Sequence, residues 1–424
     1  MLKGFDMSNW KKGALHTHTF WSDGKSLPET AIHTYREELK FDFVCITDHN
    51  IFPEEKNLWI PVIDQKFDLW PPLLYSGDID REKSLPNCNI EEKKVGVRRF
   101  VRLKTFDEIK EQWEIPGKFL LIGGCELSGG HYPDMEHACF DIHLNVINCH
   151  KSLTPPEMKE NIKDTFQSHL EVCKEAIASS ENDAIFMLNH PFWRYWDIDP
   201  VLVVENPEIR FMEICNDSAD QASEPSPMVN TPEKYWDFIL AHRLVKNYPV
   251  VYATATDDAH NYAPGNITAN CGCNHGWVMV NCPGEMSVEK LISAMKSGDF
   301  YASNGVYLDK IDFDRDTRTL HVKVDPEDGV KYRIDFIVTK KDFSKEIHRQ
   351  NIQHIKPRFN RDIPVVGDDV GITALTVDAI DAQYTMAEDD LYVRAEIISD
   401  RPAQFQRIFY PEYEKAWTQP FTGK

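Results

Sequence analysis

The stretch Phe43-Val-Cys-Ile-Thr-Asp-His49 is a short apolar run that ends in an acid and a histidine. A run of this length, rich in aromatic and β-branched residues, predicts a buried strand. Its ending then places Asp48 and His49 at the carboxyl end of that strand. Parallel strands present their carboxyl ends at one edge of a sheet, so this stretch predicts both an α/β fold and the edge that carries its chemistry.

The same arrangement recurs in three further apolar runs. They are Phe119–Cys125 before Glu126, Ala184–Asn189 before His190, and Val250–Thr256 before Asp257-Asp-Ala-His260. In a barrel, side chains at the ends of successive parallel strands converge on one face, where such folds keep their active sites. A cluster of His, Asp and Glu at such a face indicates a metal-dependent hydrolase.

Segments with helix-start signals separate the apolar runs. The expected helices lie near 27–40, 105–114, 155–179 and 232–247, with capping boxes at Ser26-x-x-Glu29, Thr105-x-x-Glu108 and Thr154-x-x-Glu157 and an N-cap at Thr231-Pro232. Strands that alternate with helices predict a parallel sheet covered by helices, either open or closed into a barrel.

Two regions depart from this rhythm. Residues 51–104 show little periodicity and lie between two motifs, so we expect an insertion near the mouth of the site. After a helix at Ser287–Lys296, the sequence alternates apolar and polar residues, as half-buried strands do. The sequence therefore predicts an α/β domain over 1–306 and an all-β, sandwich-like module over 307–424.

The composition limits the classes of partner. The 424 residues carry a formal charge of −21 and are 42% hydrophobic, which predicts a folded chain whose surface disfavours sequence-independent nucleic-acid binding. No apolar run reaches membrane-spanning length, and the ten cysteines show no framework, so we expect free thiols and a cytoplasmic location, or a periplasmic or secreted one if a signal peptide has been removed. Cys271-Gly-Cys273 is interpreted as a loop. Oligomeric state is left open.

His16-Thr-His18 adds two imidazoles to the candidate cluster. Side chains two residues apart on an extended strand point the same way, so both rings can reach one ion. Asp23, in Ser22-Asp-Gly24, is either a further ligand or a turn residue.

These motifs together resemble the PHP (polymerase and histidinol phosphatase) superfamily over roughly residues 13–305. The matching elements are His16-x-His18, Asp23-Gly24, Thr47-Asp-His49, Gly124-Cys-Glu126, His143-Leu-Asn-Val, Asn189-His-Pro191 and Asp258-Ala-His260. Gly276-Trp-Val-Met-Val, residues 294–305 and Ala416-Trp-Thr-Gln-Pro420 further resemble the subgroup of carbaryl-hydrolase-like enzymes.

The resemblance implies a distorted (β/α)7 TIM-like barrel with three divalent ions, which would be Zn, Mn or Fe. The first ion would be held by His16, His18, Glu126 and Asp258, the second by Glu126, His143 and His190, and the third by Asp23, His49 and His260. Asp257 competes with Asp258 for its role, and His131 or His137 for that of His143.

Four further residues are candidates for supporting roles. Asp48 and Asn50 are expected to orient ligands. Arg194 is either a contact for an anionic substrate or a surface ion-pair residue, and His275 is a candidate general acid or hydrogen-bond donor. Catalysis is therefore assigned to Glu126, Asp258, His275 and Arg194.

The function that follows is a phosphoesterase that acts on a small, anionic phosphorylated metabolite or nucleotide. A hydroxide shared between bridged ions would be the nucleophile. Two alternatives stay open: the same chemistry directed at a carbamate, ester or amide, or a non-catalytic binding protein on the same barrel.

Overall fold

The computed structural model describes residues 9–64, 74–134, 136–181, 183–216, 231–262, 272–404 and 412–423, without the side chains of residues 194 and 195. It is a mixed α/β structure. The strands are β1 Trp10–Ala14, β2 Phe43–Ile46, β3 Trp59–Ile63, β4 Leu74–Tyr75, β5 Glu92–Val95, β6 Arg98–Arg102, β7 Leu120–His131, β8 Phe140–Ile147, β9 Ile185–Leu188, β10 Phe211–Asn216, β11 Tyr252–Thr256, β12 Trp277–Asn281, β13 Phe300–Ser303, β14 Leu308–Asp314, β15 Thr319–Val324, β16 Tyr332–Lys340, β17 Arg349–Ile352, β18 Arg361–Pro364, β19 Ile372–Val377, β20 Asp381–Thr385, β21 Asp390–Pro402 and β22 Tyr413–Thr418. The α-helices are α1 Pro28–His33, α2 Ser76–Glu82, α3 Phe106–Trp113, α4 Ile162–Ala178, α5 Trp193–Trp196, α6 Pro200–Glu205, α7 Pro232–Val245 and α8 Val288–Ser297.

One large sheet joins strands from both halves of the chain, in the order β11-β10-β9-β8-β7-β2-β1-β12-β13-β22-β21-β16-β19. Smaller sheets have the orders β4-β3-β6-β5, β14-β15-β20 and β17-β18. The strands predicted from the apolar runs all belong to the large sheet, and β2 has the predicted bounds.

The expectation of a parallel sheet is correct for only some pairs. β1 with β2, β2 with β7, β9 with β10 and β10 with β11 are parallel. β8 runs antiparallel to both of its neighbours, and β12 is antiparallel to β1. The reason at β8 is the short connection from β7, which contains no helix and therefore cannot carry the chain back to start a parallel strand.

The described strand pairing does not close the large sheet into a barrel, because β11 and β19 remain its edges. An isolated parallel bridge pairs Thr17, which lies just after the end of β1, with Ala259, which lies just after the end of β11. At the β11 edge, the side-chain amide of Gln419 accepts from the Ala253 N–H at 2.9 Å and donates to its carbonyl at 2.8 Å. A side chain thus satisfies a backbone position that a neighbouring strand would otherwise pair.

The segment interpreted as an insertion, 51–104, contains all four strands of the sheet β4-β3-β6-β5 and helix α2. Its buried side chains share an apolar cluster with Trp21 and Leu27. The Trp21 indole also donates to the Lys104 carbonyl at 2.9 Å. This small sheet therefore packs against the loop that carries Asp23.

Strands dominate the chain after residue 306, as expected. Side chains of β15, β16 and β21 belong to one apolar cluster, which is the packing that two facing sheets produce. However, β13 pairs with β22, so the large sheet continues across residue 306 without a break. The division of the chain into two domains there remains a prediction.

Helix starts follow the sequence signals at two of the four positions. Thr105 and Glu108 form the expected capping box, and Thr231 caps α7 with proline next to it. The boxes at Ser26 and Thr154 are wrong. α1 begins at Pro28 without a side-chain cap, and α4 begins only at Ile162, since Pro155 and Pro156 favour extended backbone after Thr154.

Two composition-based expectations bear on the described residues. No helix among them is long and apolar enough to cross a membrane. Each cysteine described is a free thiol, and Cys271 lies outside the described residues.

Candidate metal centre

The predicted ligands come together at one edge of the large sheet. His16 and His18 follow β1, His49 follows β2, and His190 follows β9. Backbone pairing continues past the ends of the strands here. His49 and Glu126 form an isolated backbone β-bridge, and the His18 N–H donates to the Ala259 carbonyl at 2.9 Å. This pairing fixes the spacing of the segments that bear the side chains.

Glu126 lies at the centre of the cluster and is fully buried. Each of its carboxylate oxygens faces imidazole nitrogens from different strands. The nearest contacts are His49 Nδ1 at 2.7 Å, His143 Nδ1 at 3.2 Å, His16 Nε2 at 3.3 Å, His18 Nε2 at 3.4 Å and His190 Nε2 at 3.7 Å.

Asp23 organises a second group of imidazoles. Its two oxygens lie 3.3 Å from His49 Nε2 and 3.3 Å from His260 Nε2, and 3.8 Å separates it from His18 Nδ1. The ring of His18 stacks with the ring of His49 and with that of His260, and the centroids are 4.3 Å apart in each pair. Asp23 is therefore a member of the cluster as well as a turn residue.

The geometry separates the two adjacent aspartates. Asp258 Oδ1 lies 3.0 Å from His18 Nε2 and 3.4 Å from His16 Nε2. The Asp257 carboxylate points elsewhere. It accepts hydrogen bonds from the Tyr35 hydroxyl at 2.7 Å and from three backbone N–H groups of residues 274–276 at 2.6–2.9 Å. Asp258 thus lies in the cluster, and Asp257 anchors the loop that carries His275.

The cluster fits divalent ions. Five buried atoms in it have no hydrogen-bond partner: His16 Nε2, both ring nitrogens of His18, Glu126 Oε2 and His143 Nδ1. Buried polar atoms are rarely left unpaired, so a group of them facing one another is what the donor set of a cation site requires. Among the residues that the structure describes, three sets have donor atoms close enough to share an ion: His18, Asp23, His49 and His260; His16, His18 and Asp258; and His49, Glu126 and His143.

These sets overlap with the predicted ligand sets but differ in three ways. His18 and His49 each belong to two sets, and Glu126 belongs to one set where the prediction has two. His190 belongs to none of them, although its ring lies 4.9 Å from that of His143. The assignment of each side chain to one of three ions therefore remains a prediction.

The charges in the cluster stabilise one another. Burial alone would raise the pKa of Glu126, but the neighbouring imidazoles of His49, His16 and His143 hold it well below its usual range. Burial likewise opposes the charged form of His49, yet Glu126 and Asp23 raise its pKa to about 11. Without a metal, protons on the imidazoles thus supply the positive charge that the carboxylates require.

His18 behaves differently from the other imidazoles. Burial and the adjacent His260 and His49 rings together lower its pKa to about 4, because they outweigh the opposite effect of its carboxylate neighbours. A neutral imidazole has one nitrogen free to bind a cation, so His18 is already in the form that a metal needs.

The backbone is strained at two positions of the cluster. His190 has a φ of 23° and Asp258 a φ of 49°, both in the left-handed region that most residues avoid. Such conformations persist where surrounding contacts enforce them, and they concentrate at functional sites.

Glu213 is a residue of the site that the sequence reasoning missed. Its buried carboxylate accepts from His16 Nδ1, the His190 backbone N–H, Asn216 Nδ2 and Thr256 Oγ1, each at 2.7 Å. The contact to His16 Nδ1 leaves His16 Nε2 facing the cluster. A lone carboxylate inside the apolar run Phe211–Cys215 was the available signal.

Other polar groups form hydrogen bonds with the predicted ligands or with the segments that carry them. Asn189 Nδ2 donates to Glu126 Oε1 at 2.8 Å. Asp48 accepts from the Thr19 N–H at 2.7 Å and the Ser22 hydroxyl at 2.6 Å, which fixes the loop before Asp23. Asn50 pairs with the backbone of Ser128, whose hydroxyl lies 2.5 Å from His49 Nδ1. Asp48 and Asn50 therefore contact the segments around the predicted ligands and hold them in place, as expected.

The competing histidines lie outside the cluster. His131 Nδ1 contacts the Thr165 hydroxyl at 3.1 Å, and His137 Nδ1 contacts Asp134 at 2.7 Å.

The buried His275 is held through its backbone by Asp257. Its role as a general acid remains a prediction. The side chain of Arg194 lies outside the described residues, so its contact with substrate also remains a prediction.

No protein-family model matches the chain, and no curated protein matches it significantly. A search of solved structures finds a protein from Bifidobacterium adolescentis provisionally described as a metal-dependent phosphoesterase, 12% identical, with a TM-score of 0.29 and coverage of 67% of this chain and 95% of that chain. A TM-score this low does not establish a shared fold, and this identity does not establish a shared activity.

Replacing Glu213 with glutamine tests its link to His16. The glutamine amide would place an N–H group opposite one of the four donors that the Glu213 carboxylate now accepts from. The orientation of His16 should therefore loosen, and metal affinity should fall by about 10–100-fold. Chelator competition with Zn²⁺ measures this affinity. Glu82→Gln is the matched control, since Glu82 is also buried and accepts from Leu27 and Thr30, and burial raises its pKa to about 8. Equal losses in both variants would contradict the assignment.

Metal binding should release protons. Carboxylates hold the pKa of His16, His49, His190 and His260 above the ordinary imidazole value, whereas an ion needs neutral rings. Affinity should therefore rise with pH through neutrality, by about tenfold per unit for each proton displaced. Calorimetry of Zn²⁺ binding at pH 7 in two buffers with different ionisation enthalpies measures the release. Identical heats in both buffers would contradict it.

Proposed function

We propose that this protein is a metal-dependent phosphoesterase of the PHP type, with a distorted barrel as its catalytic domain and a trinuclear site. Its substrate class would be a small phosphorylated metabolite or nucleotide. One observation supports the proposal above all others: the buried carboxylate of Glu126 faces five imidazoles from four segments of the chain, with donor atoms left unpaired around it. That arrangement suits several divalent ions. Without them, burying so many unpaired polar atoms would cost free energy.

Zn, Mn or Fe ions bound here would activate a water molecule and polarise a phosphoryl oxygen. The residues of the chain determine where this happens. Glu126 is the proposed bridge between two ions, because both of its oxygens face imidazoles. Asn189 holds one of those oxygens in place, at 2.8 Å. Glu213 orients His16, and Asp48 holds the loop of Asp23.

The substrate side of the proposal rests on charge. The chain carries a formal charge of −21, so a phosphate ester needs local cations in order to bind. The ions themselves would reverse the local field, and Arg194 is the proposed side chain for contact with the phosphate. His275 is the proposed donor to the leaving oxygen, and its loop is held by the carboxylate of Asp257, the residue before Asp258.

Replacing Glu126 with glutamine should abolish turnover. The change removes one charge from the centre of the cluster and weakens binding of both ions that the carboxylate would bridge. Hydrolysis of phosphate monoesters, phosphodiesters and neutral aryl esters by Mn- and Zn-loaded protein measures the effect. We expect the wild type to favour phosphate esters and Glu126→Gln to lose at least about a hundredfold of that activity.

Glu82→Gln serves again as the control for loss of a buried carboxyl group, and it should keep the activity. Near-wild-type turnover by Glu126→Gln would contradict the bridging role. A wild type that hydrolyses only the neutral esters would contradict the phosphoesterase and leave the metal site in place.

A further inference from the structure

The hairpin of β17 and β18 connects the C-terminal region with the segments that carry His143 and His190. It is a separate two-stranded sheet with no strand pairing to the rest of the described C-terminal strands. Two ion pairs connect it with the segment after His190: Arg361 with Asp197, and Arg349 with Asp199. Arg361 and Asp197 are both almost completely buried.

A chain of hydrogen bonds leads from Arg361 to His190. The Arg361 guanidinium donates to the carboxylate of Asp197, which follows α5 directly. The Asp197 N–H donates to the Trp193 carbonyl at 3.0 Å, and the Trp193 N–H donates to the His190 carbonyl at 3.0 Å. The Trp193 ring lies 5.2 Å from the His190 ring and 6.2 Å from the His143 ring.

The same guanidinium also contacts the strand that carries His143. It lies over the ring of Phe140, 4.4 Å from the centroid, and Phe140 is the first residue of β8. Beside it, the Cys139 N–H donates to the Arg358 carbonyl at 2.8 Å. Arg361 itself is fixed by donating to the Asn360 carbonyl at 2.9 Å.

We propose that Arg361 is a positioning residue for the half of the metal centre formed by His143 and His190. One buried side chain contacts both segments that deliver these imidazoles, and so it sets their separation. A Lys side chain would not reproduce these contacts, because the guanidinium donates to Asp197 and Asn360 from separate nitrogens while its central carbon lies over the Phe140 ring. The C-terminal region would then contribute to metal binding through this hairpin.

The alternative is that Arg361 only stabilises the fold, and the chain contains a matched pair that tests it. Arg394 of β21 forms a bidentate ion pair with Asp237 of α7, at 2.8 and 2.7 Å. Both partners are almost completely buried, as in the Arg361 pair. None of their described hydrogen bonds or ion pairs involves a proposed metal ligand.

The experiment compares two double variants of the full chain, Arg361→Met with Asp197→Asn and Arg394→Met with Asp237→Asn. Removing both partners avoids leaving a buried charge unpaired. Chelator competition with Zn²⁺ and Mn²⁺ gives the affinity of each ion, and thermal unfolding of the metal-free protein gives the stability. If either double variant fails to fold, Arg361→Lys and Arg394→Lys replace them.

Both changes should lower the unfolding temperature. Only the Arg361 change should also weaken at least one ion, by about tenfold or more, as loss of an outer contact does at metal sites. Equal weakening by both changes, or none by either, would overturn the inference. It rests on the proposed metal site: a wild type that binds no metal would contradict the proposed function, whereas a metal-binding wild type with an unaffected Arg361 variant would contradict this inference alone.

Discussion

The ionised carboxylate of Glu126, buried among imidazoles, is the constraint on which the rest of the site depends. A carboxylate removed from water costs several kcal/mol unless opposite charge and hydrogen bonds replace its hydration. Here five imidazoles and the amide of Asn189 surround it. These partners come from segments far apart in sequence, so the charge is stable only when the strands are correctly assembled. The site can therefore form only when these segments are in place together.

The surroundings of the cluster follow from this requirement. Side chains that meet around one carboxylate need fixed directions, and a second set of acidic groups holds them. Glu213 holds His16, Asp48 holds the loop of Asp23, and Asp257 holds the loop of His275. The positive φ angles of His190 and Asp258 are consistent with this, since surrounding contacts are needed to keep a non-glycine residue in that conformation.

Local rules predicted what local geometry determines. The period of a strand placed His16 and His18 on one side, and the end of the apolar run at Phe43–Ile46 placed His49 at the edge of the sheet. The antiparallel direction of β8 depends on a connection whose length has no clear sequence signal. Glu213 escaped notice because its partners, His16 and Thr256, are distant in sequence. The choice between Asp257 and Asp258 required the position of Tyr35, which sequence alone cannot provide.

The number of ions bound per chain tests the central claim most directly. Elemental analysis of the purified protein, before and after reconstitution with Zn²⁺ or Mn²⁺, measures it without any assumption about the substrate. The account predicts more than one divalent ion per chain, approaching three after reconstitution. One ion or none after reconstitution would contradict a site in which Glu126 bridges metals.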